Sequence, residues 1–327
     1  MIATSTVRAA SRPYPRVAFP TLRGLLHTGP GGFGLGCIGL VCVLALVAPL
    51  IAPYDPAHQE VRRLLEGPSA THVLGTDDLG RDTLSRLIYG TQPALAVGLI
   101  AAGLALLVGT ALGLVAGYRR GLVDATLMRI MDGLLAVPTL VLALAITSAL
   151  GPGLANAMLA IGVTGIPVFA RLVRGQTLAT LGLEYVHAAR LLGASPARVV
   201  LRHILPNIVS AIIVQASLSM AMAILAEAGL SFLGLGVQPP APTWGSMVTT
   251  ARGYLQRDPW LMLAPGAALC LIVLALNLLG DALRDALDPW GPRGARAGNN
   301  DRASESRAKT LPSFAVGARD DDAAASF

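Results

Sequence analysis

The segment from Gly75 to Asp82 carries three carboxylates close together, a pattern that can bind a hard cation. The same spacing fits a tight turn followed by a helix capped by Asp77 or Asp78, because a carboxylate readily accepts hydrogen bonds from backbone N–H groups. The second interpretation needs fewer assumptions, so we predict no metal site. This external motif consists of Gly75, Asp77, Asp78, Gly80, Arg81 and Asp82.

The chain lacks the usual catalytic signatures. A phosphate-binding P-loop requires Gly-Lys-Ser/Thr, whereas Lys309, the only lysine, follows Ala308. There is no HExxH segment and no Ser or Asp dyad with suitable spacing. The three cysteines, Cys37, Cys42 and Cys270, lie in apolar runs, where thiols pack as small hydrophobic side chains. We therefore predict no catalytic residue, no metal and no cofactor bound by this chain.

One carboxylate, Glu227, lies within a long apolar run. A carboxylate at the centre of a membrane helix costs about 2.5 to 3.5 kcal/mol on insertion scales, so it should face protein or water. Glu227 could line a translocation path and meet a cationic amine or metal ion. It could equally be a structural group that closes the outer end of the helix, and the sequence leaves both possibilities open.

The composition places these residues in a membrane protein. Hydrophobic residues make up 54% of the 327 and charged residues 13%, whereas an average soluble domain is about 25% charged. A helix needs about 20 apolar residues to cross the hydrocarbon layer. Because the first run is this long and prolines crowd its possible cleavage sites, we interpret it as an uncleaved anchor. Six such runs lie near residues 31–52, 91–117, 130–150, 154–173, 208–236 and 261–283.

Basic residues predict the orientation, because positively charged loops tend to stay in the cytoplasm. With the N-terminus inside, the inner segments carry 19 Arg and Lys residues and the outer segments 6. Both termini are thus predicted to be cytoplasmic. The predicted regions are a cytoplasmic tail (1–30), a first anchor (31–52), an extracytoplasmic segment (53–90), a five-helix core (91–290) and a disordered cytoplasmic tail (291–327).

Small residues and prolines predict how the spans pack. Gly109, Gly113 and Gly117 form a stripe that allows another helix to approach to backbone contact, which we interpret as architectural. Pro138 and Pro167 should kink the third and fourth spans, since proline cannot donate the helical hydrogen bond.

The inner loop at about 183–206 predicts two short helices. Gly193 follows the first at the position of a left-handed cap, and Ser195 before Pro196 is a typical helix start. The second helix should run over 197–204 until Pro206 breaks it. From spacing alone, the pair could lie on anionic lipid or dock a cytoplasmic protein.

This loop resembles the EAA loop of binding-protein-dependent ABC importers. Ala188, Ala189, Gly193, Leu205 and Pro206 match that pattern, whereas His187 replaces the signature Glu. The resemblance implies that the loop couples this chain to a separate ATPase. The implied coupling residues are His187, Ala188, Ala189, Arg190, Gly193, Ser195, Pro196, Leu205 and Pro206.

Residues 72–82, 230–245 and 279–289 together resemble the C-type permease subunit of dipeptide, oligopeptide and nickel importers. The resemblance covers about residues 30–290 and implies an all-α inner-membrane permease forming half of a translocation pathway for peptides. Nickel or another small solute stays an alternative, and a membrane enzyme or a self-sufficient channel is the rival from another class. The implied partners are a second permease, two ATP-binding subunits that bind ATP and Mg, a substrate-binding protein and lipid, but no nucleic acid.

Overall fold

The computed structural model describes residues 29–287. The predicted tails at 1–30 and 291–327 therefore lie almost wholly outside the described residues. The helices are α1 (Gly29–Ile51), α2 (Thr83–Tyr89), α3 (Thr91–Arg119), α4 (Gly121–Leu135), α5 (Thr139–Leu150), α6 (Leu154–Leu181), α7 (Glu184–Leu191), α8 (Pro196–Arg198), α9 (Leu205–Phe232), α10 (Trp244–Arg252) and α11 (Trp260–Leu287). A 3₁₀ turn (Val61–Arg63) precedes α2, and a π-helical segment (Val199–Ile204) joins α8 to α9.

The described part of the chain is helical and contains no strand, so the prediction of an all-α membrane protein is confirmed. Five helical segments are long and apolar enough to cross a membrane. They contain α1, α3, α6, α9 and α11. A sixth crossing is reached if the bent pair of α4 and α5 counts as one span.

The third span differs from its predicted form, a single kinked helix over 130–150. Instead, α4 and α5 meet at an angle of 91°. Pro138 has an extended backbone (φ −51°, ψ 131°), and it lies between the two helices rather than within one. Proline also disfavours the helical region for the residue before it, which explains why the chain breaks here. At Pro167, in contrast, α6 continues without interruption.

The most extensive helix packing among the described residues is between α3 and α6. A Cβ added at Gly109 would lie 2.6 Å from the Phe169 Cβ, and one at Gly113 would lie 2.6 Å from the carbonyl oxygen of Ala170. At Gly117 the added atom would lie 2.8 Å from the Thr177 Cβ. All three glycines therefore permit close helix contact, which confirms the architectural interpretation of the stripe.

Glycine also allows close approach where α11 packs on its neighbours. A Cβ at Gly34 of α1 would lie 2.7 Å from the carbonyl oxygen of Ala275, and one at Gly280 would lie 2.7 Å from the Ser217 Oγ of α9. Since α9 also packs on α3 and α6, these contacts join α1, α11 and α9 to the α3–α6 pair.

We expect Gly113→Ala to lower thermal stability. The added methyl group must displace backbone atoms of α6, and overpacking of this kind costs about 1 to 3 kcal/mol. The matched control is Gly103→Ala in the same helix, because a Cβ there meets no atom within 4 Å. The control should keep or slightly raise the melting temperature, since Ala has the higher helix propensity. Equal melting temperatures for the two variants in detergent would contradict the packing argument.

Candidate functional site

The predicted coupling loop begins with α7, which ends in a Schellman motif. The N–H of Ala194 donates to the carbonyl of Ala189 (3.1 Å), and the N–H of Gly193 donates to that of Arg190 (3.0 Å). Gly193 has φ +80°, which is the left-handed conformation that this motif requires. The predicted glycine cap is confirmed.

The second half of the loop departs from the prediction. Ser195 caps α8 by accepting a hydrogen bond from the N–H of Arg198, as expected, but Pro206 does not end the helix. The backbone stays helical from Pro196 to Phe232, because the π-helical segment lies just before the proline. Its wider turn, with the N–H of Leu205 donating to the carbonyl of Val200, accommodates the missing donor of Pro206.

Buried aliphatic side chains fix the loop to the ends of the long helices. Val186, Val199 and Ile204 are fully buried in a cluster that also contains Phe169 and Val173 of α6. On the rim, the Arg190 guanidinium lies 5.1 Å from the ring centre of Tyr118 at the end of α3. The loop is thus a rigid extension of the bundle.

The opposite side of the loop is exposed and partly apolar. Leu191 and Leu192 are 89% and 88% exposed, although large aliphatic side chains are normally covered. Ala188 beside them is also exposed and adds no bulk. Three basic residues, Arg190, Arg198 and Arg202, are exposed on the same loop, as are His187, Ser195 and Pro196. This surface has the composition of a protein interface, with an apolar centre and a charged rim.

At the other end of the bundle, the external motif forms a buried ion network around Asp77. The Asp77 carboxylate accepts the backbone N–H groups of Leu79 (3.0 Å) and Arg81 (2.9 Å) and the Arg81 Nε (2.7 Å). The Arg86 Nε lies 3.4 Å from the same carboxylate. Gly75 and Gly80, both at φ +75°, supply the turns. Asp77 therefore balances two buried guanidinium groups.

The helix cap predicted at Asp77 or Asp78 is wrong, because α2 begins later and Asp82 caps it. Asp82 Oδ2 accepts the N–H and the hydroxyl of Ser85, both at 2.7 Å, and Oδ1 lies 2.9 Å from the His72 Nδ1. Asp77 is already occupied by the turn at Gly80, so it is not free to cap a helix. Among residues 29–287, no three His, Cys, Asp or Glu side chains are grouped so that they could hold a metal ion.

Asp78, by contrast, is only partly engaged. Its carboxylate lies 3.7 Å from the Arg81 Nη2. Partial burial and the neighbouring Asp77 charge raise the pKa of the Asp78 carboxyl above its ordinary value, although Arg81 opposes the shift. The ionised form of Asp78 is therefore less favoured in the folded protein than that of an exposed aspartate.

Two motifs that are far apart in sequence meet at this outer end. The Trp244 Nε1 donates to the carbonyl of Leu87 (3.0 Å), and a Cβ at Gly90 would lie 2.8 Å from the Trp244 Cδ1. The Arg86 Nη1 donates to the carbonyl of Pro56 (3.0 Å) and contacts that of Pro240 (3.5 Å). The sequence does not identify Arg86 and Trp244 as contacts between these segments, because most of their partners are backbone carbonyls, which every residue type provides.

Glu227 lies near the C-terminal end of α9 and is only 4% exposed. Its Oε1 accepts the Ser231 hydroxyl (2.6 Å), whose oxygen lies 3.5 Å from the Thr243 Oγ1. These contacts direct the carboxylate toward the segment that leads into α10. Elsewhere on α9, Ala223 and Ala226 line a cavity of about 480 Å³ to which Glu227 does not contribute.

Comparison with known protein families identifies the chain. Residues 109–290 match the family described as binding-protein-dependent transport system inner membrane component. The chain belongs to this family. Residues 31–68 also match the N-terminal TM domain of oligopeptide transport permease C. The permease resemblance is confirmed, and the chain is a multi-pass inner-membrane protein without an ATPase of its own.

Curated relatives of this permease cover most of its length. It is 47% identical over 262 residues to the di/tripeptide transport system permease protein DppC of Pseudomonas aeruginosa, an alignment that covers 78% of this chain and 86% of the relative. It is also 47% identical over 251 residues to the glutathione transport system permease protein GsiD of Pectobacterium atrosepticum, covering 76% and 83%.

Among solved structures, a chain of the MetNI methionine ABC transporter in inward facing conformations is similar, with a TM-score of 0.53 and 20% sequence identity. The match covers 62% of this permease and 96% of that chain. This likeness shows the shared fold.

We expect Asp77→Asn to destabilise the permease strongly. Asparagine keeps the shape and one acceptor oxygen, but it removes the charge shared by Arg81 and Arg86, and breaking a buried ion pair costs about 3 to 5 kcal/mol. The control is Asp78→Asn, which removes a carboxylate whose ionised form is disfavoured. The melting temperature should fall for Asp77→Asn and stay level or rise for Asp78→Asn. The opposite ranking would refute the central role of Asp77.

Proposed function

We propose that this chain is a permease subunit of an ATP-driven importer and forms half of the translocation pathway for di- or oligopeptides. The names of its relatives support a peptide substrate, because glutathione is itself a tripeptide and other relatives are dipeptide permeases. The competing substrates are nickel and other small solutes. The observation that carries the proposal is the exposed apolar surface of the coupling loop, which fits a cytoplasmic protein partner.

The partners in this proposal are a second homologous permease, two ATP-binding subunits that hold ATP and Mg, an extracytoplasmic substrate-binding protein and membrane lipid. Both termini are cytoplasmic, so the loop at 183–206 faces the ATP-binding subunits. The external motif faces the substrate-binding protein. The loop exposes three arginines as well as the leucine pair, which favours a protein partner with an apolar pocket and acidic residues beside it.

The coupling follows from the continuity of the helix. Residues 196–232 form one helical segment that begins in the loop and ends beside the start of α10, where Ser231 contacts Thr243. A displacement of the loop by the ATP-binding subunits would therefore move α9 as a body. Because α9 supplies one wall of the cavity of about 480 Å³, this motion would open or close the pathway. Glu227 would then serve to hold the outer end of α9 to the segment before α10.

The orientation is tested by labelling with a membrane-impermeant thiol reagent in a background without the three native cysteines. Gln59→Cys and Ser195→Cys both place a thiol at an exposed position. We expect Gln59→Cys to react in intact spheroplasts and Ser195→Cys to react only after lysis. Reaction of Ser195→Cys in intact cells would exclude the cytoplasmic coupling loop.

Docking is tested by pull-down of the complex from detergent. The double variant Leu191→Asp, Leu192→Asp places charges where an apolar partner surface is expected, and such unpaired charges are penalised heavily at interfaces. We expect a loss of ATP-binding subunits of more than roughly tenfold, since about 1.4 kcal/mol corresponds to one factor of ten. Membrane insertion and pairing with the second permease should persist.

A second variant changes the backbone conformation of the loop without adding a charge. Gly193→Val forces a β-branched residue into a left-handed conformation, at a cost on the order of 1 to 2 kcal/mol, and should also weaken retention of the ATP-binding subunits. The control is Gly182→Val at the end of α6, where φ is −79°. If the Leu191→Asp, Leu192→Asp variant and the Gly193→Val variant both retain the ATP-binding subunits fully and import normally, the docking assignment is wrong and a lipid-facing loop is favoured.

A further inference from the structure

On the basis of the proposed function, we infer that the cavity between α3, α5, α6 and α9 is where this chain contacts the transported peptide. Gln215 and Ser219 of α9 are assigned as its hydrogen-bonding contacts with the amide groups of the peptide main chain.

The cavity has the size of a small-ligand site. Its volume is about 480 Å³, within the range of roughly 300 to 1,000 Å³ that is common for such sites. Small residues keep it open on three of the four helices: Ala101 and Ala105 on α3, Gly165 on α6, and Ala226 and Gly229 on α9. The cavity walls therefore leave room for a solute rather than closing into a packed core.

The polar groups of the cavity are amides and hydroxyls. The Gln215 Nε2 donates to the Ser219 Oγ one turn further along α9 (3.2 Å). On α6, Thr164 donates its hydroxyl to the carbonyl of Ile161 (2.8 Å). Gln215 and Ser219 satisfy each other when no solute is present, and each can exchange this bond for one to a peptide N–H or carbonyl. Because the peptide replaces an existing hydrogen bond between Gln215 and Ser219, the net gain in binding free energy is small. A low affinity suits a site that must release its solute.

None of the described residues that line this cavity is ionisable. The only acidic residue of α9, Glu227, is turned toward Ser231 and does not reach the cavity. A fixed charge would favour peptides of opposite charge and hold them in the pathway. The wall contributed by this chain thus recognises what all peptides share, the amide backbone, and is indifferent to the charge of their side chains.

The experiment measures peptide uptake by the complete importer in proteoliposomes, with the affinity of the substrate-binding protein measured separately. Gln215→Leu and Ser219→Ala each remove one hydrogen bond to the solute. A hydrogen bond contributes about 0.5 to 1.5 kcal/mol, so the concentration at half-maximal uptake should rise roughly two- to tenfold. Assembly of the complex and binding-protein affinity should be unchanged.

Ser217→Ala is the matched control. Ser217 lies on the same helix, but its hydroxyl donates to the carbonyl of Val214 (2.8 Å) and faces Gly280 of α11 rather than the cavity. The control should leave the half-maximal concentration unchanged, even if its packing change lowers stability. A structural effect of serine loss would appear equally in both serine variants.

A charge variant tests the indifference to side chains. Gln215→Glu should raise the uptake ratio of alanyl-lysine to alanyl-glutamate at least threefold relative to wild type. If wild type imports dipeptides while the Gln215 and Ser219 variants behave like Ser217→Ala, the cavity assignment is overturned and the proposed function stands. If the wild-type complex assembles with ATP-binding subunits but imports no peptide, the proposed peptide substrate and this inference both fail.

Discussion

The close contact of α3 with α6 is the constraint on which the remaining structure depends. Three glycines one turn apart remove the side chains that would otherwise separate the two backbones. In hydrocarbon there is no hydrophobic force to drive helices together, so close van der Waals contact must supply the attraction. Ala94, near the start of α3, lies in the same buried cluster as Trp244, and Tyr118, near its end, contacts Arg190 of the loop, so α3 takes part in the packing at both ends of the bundle. On this pair, α5 packs against α6 and α9 packs against both helices, and α11 is joined to them through α9.

The two ends of the bundle are stabilised by different forces. At the outer end, Asp77 balances Arg81 and Arg86, so the external segment is held by buried charge and by bonds to backbone carbonyls. At the inner end, Val186, Val199 and other apolar side chains anchor the loop mainly through packing. A charge network requires precise geometry, and a close-packed aliphatic cluster has low compressibility, so both ends hold their segments firmly to the long helices. In the proposed importer, the packed cluster would pass a displacement of the loop on to α6 and α9.

Features governed by local chemistry could be predicted from the sequence. The apolar runs, the glycine stripe and the cap at Gly193 follow from chain hydropathy and from backbone conformation at single residues. Features that depend on which of several possible partners or conformations a residue adopts could not be predicted from the sequence. Pro138 breaks its helix, whereas Pro206 is absorbed because a π-helical segment precedes it, and nothing in the residue types distinguishes these outcomes. The sequence predicts a helix cap at Asp77 or Asp78, but Asp77 is paired with Arg81 and Arg86, and Asp82 caps the helix instead.

The π-helical segment at Val199–Ile204 also sets the rotational register of α9. A π turn holds one residue more than an α turn, and each residue of an α-helix turns the chain by about 100°. Because the wide turn takes up one extra residue, deletion of one residue in this segment would leave an ordinary helix, with the face bearing Gln215 and Ser219 in nearly the same phase relative to the loop. Deletion of one residue further along, between 207 and 214, would rotate that face by about 100°. The π turn therefore makes this segment tolerant of a single deletion, whereas substitution of its fully buried Val199 or Ile204 would disturb the packing of the loop.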